Sequence, residues 1–272
     1  AALYTPCLFA LRNYITGPGV PCLQTVESGN PWHPGHAFTK QVVINEKLPH
    51  RLLALLQENT VVTSANCSFL RAAVLCVSAF AEDHSACLEI ALKFGFRRVL
   101  TEILTDISNL QLYKPLARSI FGALSVLVGH THVFEPGANS KVPKDMSLSA
   151  VDLFNMLVAC HRMLDVLAED REFDCLGVLN CAQVLKYTLP LVTSRDPLYK
   201  GILVSVMKLF KTSCDDSEER LCAAVALDGL LEQLMLSSRT MRNKSWREDG
   251  VTQTLVEQLQ HSSGGRGAEL GG

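Results

Sequence analysis

Apolar residues recur along this chain at i, i+4, i+7 and i+8, the stripe that a helix buries on one face. Leu48, Leu52, Leu55 and Leu56 follow that pattern, and 48 residues later Phe96, Leu100, Ile103 and Leu104 follow it again. The coincidence predicts a repeated helical unit, most completely displayed between Val42 and Asp106. Within it, Thr63, Ser64 and Asn66 offer N-caps for a helix through Phe69 to Phe80. That helix is apolar nearly all round, as befits one covered on more than one side. A shorter helix from Ser85 to Phe94 follows and ends at Gly95, where a left-handed residue terminates helices. A third, amphipathic helix then begins at Phe96.

The same pattern organises the rest of the chain. A helix is predicted from Ala2 to Ile15, with Leu8, Leu11 and Ile15 on one side, stopped by Gly17-Pro18-Gly19. The Pro- and Gly-rich stretch that follows reads as a long loop, disordered, as far as His36. A second loop, 130–148, carries Pro136, Gly137 and Pro143 and no apolar period. Ser149 with Asp152 forms a capping-box start for a helix from Val151 to Ala168, in which Val151, Phe154, Val158, His161 and Leu164 share a face. Further helices are expected from Asp174 to Leu191 and from Arg220 to Leu236. The acidic residues Asp216 and Glu219 sit favourably at the start of the second of these. The chain thus divides into an N-terminal helix and loop (1–36), a helical-repeat domain (37–261, interrupted by the 130–148 loop) and a Gly/Ser-rich disordered tail (262–272).

Two echoes point to a family. The run Ala91-Leu92-Lys93-Phe94-Gly95-Phe96-Arg97-Arg98-Val99-Leu100-Thr101-Glu102-Ile103-Leu104 resembles the end of the second armadillo helix, its glycine turn and the third helix; Gly250, Val251, Leu255 and Leu259 repeat the theme. Leu112-Tyr113-Lys114 and the residues after it return 86 positions later as Leu198-Tyr199-Lys200, two units of a period near those of armadillo and HEAT repeats. The resemblance implies an all-α, right-handed superhelical solenoid of about four to six units with two long loop insertions. It also implies a concave face lined by third helices. Off their buried stripes stand His50, Arg98 and Gln253 at one position and Ala54, Glu102 and Glu257 one turn on, with Arg97-Arg98 the most basic point. Nuclear import adaptors of that family array Trp and Asn on third helices; here no Trp-x-x-x-Asn occurs, so a basic localisation peptide is expected to bind poorly.

Composition agrees with helix-on-helix packing: 48% of the 272 residues are apolar but only 7% aromatic. With 25 Lys+Arg against 27 Asp+Glu, total charge demands neither nucleic acid nor an anionic membrane. The ten cysteines form no C-x-x-C pair, and Cys76, Cys87, Cys160 and Cys222 fall in apolar helical patterns, which suits a reducing cytoplasmic or nuclear compartment. Sequons at Asn66 and Asn243 are read as accidental. No apolar run is long enough to span a bilayer. The start at Ala1, without an initiator Met or a signal-peptide pattern, suggests a fragment of something longer.

Candidate chemistry is sparse. His130, His132 and Glu135 are ligand types without a fourth donor placed by spacing, so no metal site is expected. Cys160 and His161 are helix neighbours about 100° apart and do not face each other, and His161 is read as a core histidine. No P-loop, G-x-G-x-x-G or G-x-S-x-G occurs. The expectation is a non-enzymatic interaction scaffold without cofactor, metal, membrane or small-molecule substrate, binding a protein or peptide through His50, Arg97, Arg98, Glu102, Gln253 and Glu257. The alternative is a nucleic-acid partner for the basic run Arg239, Arg242, Lys244, Trp246 and Arg247, whose plainer reading is a solvated loop between helices.

Overall fold

The computed structural model describes residues 4–16, 34–82, 85–129, 148–169, 174–191 and 197–212. Among these residues every regular element is helical, as the all-α reading requires. In chain order they are α1 (Tyr4–Thr16), α2 (Pro34–Asn45), α3 (Leu48–Gln57), α4 (Cys67–Ala81), α5 (Ser85–Lys93), α6 (Phe96–Asp106), α7 (Lys114–Gly129), α8 (Ala150–Glu169), α9 (Cys175–Thr188) and α10 (Pro197–Thr212). A 3-10 turn, Leu189–Leu191, follows α9. The chain falls into two compact units, Ala1–Ala159 and Cys160–Gly272.

The first unit is organised around α4. Its Phe69, Leu70, Ala72, Ala73, Val74, Cys76, Val77, Ala79, Phe80 and Ala81 are all buried. It packs against α1 on one side and α7 on another, with α3 and α5 also in contact. Small residues let those neighbours approach: the Cys76 thiol donates to the Leu8 carbonyl of α1 at 3.1 Å. At its C-terminal end the buried Lys40 ammonium, from α2, donates to the Glu82 carbonyl, placing a cation where the helix dipole favours one. Asn66 is the N-cap residue, but its side chain turns back to accept from the Thr63 N–H and donate to the Val61 carbonyl.

The 48-residue repetition extends to the backbone. The two described residues with positive φ, Lys47 (55°) and Gly95 (75°), stand 48 apart and immediately precede α3 and α6. Lys47 N–H donates to Ile44 and Gly95 N–H to Leu92, at 3.0 and 3.1 Å; Glu46 donates to Val42 and Phe94 to Ile90, both at 3.0 Å. Every partner is 48 residues from its counterpart. Packing follows the same register, since α4 packs on α7 and α3 on α6. The 86-residue echo is also carried in burial. Leu116, Ala117, Ile120 and Phe121 of α7 and Ile202, Leu203, Val206 and Met207 of α10 are all buried, and so are Ser119 and Ser205. Ser119 Oγ donates back one turn to the Pro115 carbonyl, and Ser205 Oγ lies 3.2 Å from the equivalent Gly201 carbonyl.

Three expectations are corrected. The N-terminal loop does not reach His36, because α2 begins at Pro34; proline's fixed φ and missing N–H are tolerated at a first helical position. On α8 the buried stripe is Met156, Leu157, Cys160, Met163, Leu164 and Leu167, whereas Val151 and Phe154 are 67% and 54% exposed. A helix with two apolar stripes gives no periodic signal of which one is covered. His161 shares the more open side and is not in the core. The helices expected from Arg220 and from Val251, and the 262–272 tail, lie outside the described residues.

Candidate functional site

Because the same left-handed turn launches α3 and α6, residues 48 apart point the same way. His50 and Arg98 are both exposed; one turn on, Ala54 is exposed and Glu102 half-buried. Arg98 Nε donates to Glu102 Oε1 at 2.8 Å, an i,i+4 pair open to solvent. That hydrogen bond and the carboxylate's charge raise the Arg98 pKa above its ordinary value. The His50 ring lies 4.3 Å from that of Phe94, tilted by 58°, which ties the start of α3 to the turn before α6.

Arg97 does not belong to this face. It is 6% exposed. Burial lowers its pKa, opposed by the charge of Asp152 in the first turn of α8. The helical phase is the cause: Pro49, its counterpart in α3, is buried too. The structure therefore brings together His50, Arg98 and Glu102 and takes Arg97 inward. Gln253 and Glu257, the basic residues Arg239, Arg242, Lys244, Trp246 and Arg247, and the His130–Glu135 group lie outside the described residues.

The second unit holds a polar cluster that joins α8 to α10. Ser205 Oγ donates to Asp165 Oδ1 at 2.7 Å, and Asp165 Oδ2 lies 3.6 Å from His161 Nε2. These are the residue types of a hydrolase triad in the wrong connectivity. Acyl transfer needs the imidazole between hydroxyl and carboxylate, so that it takes the nucleophile's proton. Here the carboxylate stands between, and Ser205 is 2% exposed. The arrangement fastens two helices, helped by Lys208 and Glu169 at 3.4 Å. Gly201 completes it, because a Cβ there would fall 3.0 Å from His161 Cε1. Neither Asp165 nor Ser205 was evident from sequence; 40 residues separate them, and the one hint was the placement of Ser205 opposite Ser119 in the 86-residue echo.

Cysteines in the cores are quiet. Burial pushes Cys76 up to about 12 and Cys87 up to about 11. Cys160 is raised by burial first, then by the hydrogen bond and charge of Cys181, whose thiol points at the Cys160 carbonyl 3.7 Å away. No described cysteine forms a disulfide. Among the described residues no group of three or more His, Cys, Asp or Glu could hold a metal ion, and no helix is long and apolar enough to cross a membrane. Comparison of the chain with known protein families, curated proteins and solved structures finds no match.

Proposed function

We propose that this chain is a non-enzymatic interaction module of the armadillo/HEAT type, and that the exposed side of its third helices, α3 and α6, which would line the concave face of such a stack, binds a protein or peptide partner. One observation carries the reading: α3 and α6 start from the same backbone turn, pack on each other, and present His50 and Arg98 at matching exposed positions, with Ala54 exposed and Glu102 half-buried one turn on. Stacked units of this kind generate extended surfaces on which side chains off the buried stripe meet a partner. The site is mixed in sign, which suits a partner carrying both charges.

The test is affinity capture followed by titration of the captured protein against wild type and His50→Glu/Arg98→Glu. Both positions are exposed, so the double variant keeps its thermal midpoint and loses affinity for the partner by about tenfold, as rim charges do. Full affinity in that variant, together with loss on reversing Arg242, Lys244 and Arg247, would move binding to the basic segment. Nucleic acid would then be the partner to test, by its steep salt dependence.

A further inference from the structure

The charges on α3 and α6 run against their helix dipoles. In α3 the exposed His50 and Arg51 occupy the first turn and the exposed Glu58 caps the C-terminus. In α6, Arg98 occupies the first turn and Asp106 the last position, with Glu102 between. His50 matches Arg98, and Glu58 matches Asp106, at the 48-residue spacing. A helix is stabilised by acids at its start and bases at its end. Both helices have the reverse; Arg98 is paired with Glu102 one turn on, while the placement of Arg51, Glu58 and Asp106 does not serve the stability of the helices that carry them. Neighbouring charges do not cancel the pattern. Lys93 is paired with Glu89 at 2.6 Å, and Glu46 adjoins Lys47 in sequence. Arg51, Glu58 and Asp106 make no ion pair with a described residue.

In a stack of repeated units, equivalent helices such as α3 and α6 run in one direction. Their first-turn cations then form one row and their last-turn acids another, separated by about 12 Å at 1.5 Å per residue. A surface of one basic row and one acidic row is complementary to a second copy turned over about a twofold axis that lies in the face, parallel to the rows, which is the symmetry of an isologous dimer. We infer that this face pairs with a second copy of the chain, Arg51 and Arg98 of each lying over Glu58 and Asp106 of the other. The inference rests on the interaction reading above and names the partner of that face.

Sedimentation velocity on the full chain tests it at about 20 mM and about 500 mM salt, bracketing strong and weak screening. Wild type is expected to dimerise in low salt, with a dissociation constant at least about tenfold weaker in high salt. Arg51→Glu/Arg98→Glu and Glu58→Lys/Asp106→Lys should each sediment as monomers, because like rows then face each other, while an equimolar mixture of the two re-forms a dimer. Both variants place charges as the dipoles favour, although Arg98→Glu also ends the pair with Glu102, so their thermal midpoints should stay close to that of the wild-type monomer. If either fails to fold, the neutral pairs Arg51→Gln/Arg98→Gln and Glu58→Gln/Asp106→Asn replace it, each expected to weaken the wild-type dimer. A wild type monomeric at about 100 µM in low salt would overturn self-pairing and leave the interaction module to be judged by its captured partner. Variants that dimerise alone, or a mixture that does not re-form the dimer, would also overturn it.

Discussion

Lys47 holds a left-handed conformation that costs an L-residue about 1–2 kcal/mol and glycine almost nothing. Lys47→Gly gives back about 0.5–1 kcal/mol to the greater freedom of glycine in the unfolded chain, so a net gain of about 0.5 kcal/mol is expected in urea unfolding. Gly95→Ala should lose about 1 kcal/mol through backbone strain alone, because a Cβ there meets nothing within 4 Å. Adjacent arginines should behave as differently as their burial. Arg97→Glu puts a like charge near Asp152 in a buried position and should cost about 3–5 kcal/mol. Arg98→Glu should stay within about 0.5 kcal/mol in the same experiment. The buried thiols set a pH dependence. Cys76 has its pKa raised from 9.0 to about 12, so above 9.0 the unfolded chain ionises a thiol that the folded one keeps protonated. The unfolded state then binds fewer protons, and stability falls as pH rises from 9.0 towards about 12. The urea midpoint should drop between pH 8 and pH 10, and Cys76→Ala should make that drop shallower.

At the scale of elements, local signals were legible and distant ones were not. Half of the capping box expected before α8 is present: Ser149 Oγ accepts from the Asp152 N–H at 3.0 Å, while the Asp152 carboxylate accepts from the Ser149 hydroxyl at 2.7 Å instead of from the Ser149 backbone N–H. Asp174 likewise accepts from the Gly177 N–H at 2.9 Å to start α9. Ser149→Ala and Asp174→Ala should each cost about 1 kcal/mol in thermal or urea unfolding; a loss below a few tenths would mean that those helix ends are held by packing instead. The Ser149 cap and the glycine turn at Gly95 each span three residues, which is why sequence spacing finds them; Asp174 spans the same distance to Gly177. On α8, Val151, Phe154 and Val158 are as apolar as the stripe that is covered, and only tertiary packing distinguishes the two. Arg97 is hidden from sequence for a related reason: a charged residue next to an exposed one carries no mark of burial until the helix phase is fixed. The seam of His161, Asp165 and Ser205 depends on α8 meeting α10, a pairing that no periodicity encodes. The left-handed Lys47 was hidden because the residue usual in that conformation is glycine.

For the molecule as a whole, the question is how far the first unit depends on helices from successive repeats. In α4, Phe69, Phe80 and eight smaller side chains are buried, and the helix is covered by α1 on one side and α7 on another. A chain cut after Asp106 keeps α1 to α6 but removes α7, and with it the side chains that shield one side of α4. It also removes the partner on which α6 and α5 rest, since both contact α7. Apolar surface exposed in this way costs about 25 cal/mol per Å², and the loss of a helix-sized contact is comparable with the whole stability of a small domain. Units that bury their faces only against neighbours cannot be removed singly without leaving such a surface. Ala1–Asp106 is therefore expected to aggregate, or to persist as an expanded species that binds a hydrophobic dye and unfolds without a cooperative transition. Size-exclusion chromatography with a urea titration decides the matter. A monomeric Ala1–Asp106 that unfolds in one sharp step would show that α1 to α6 form a self-sufficient domain, and the 48-residue register would then describe an internal resemblance without the interdependence of a stacked array.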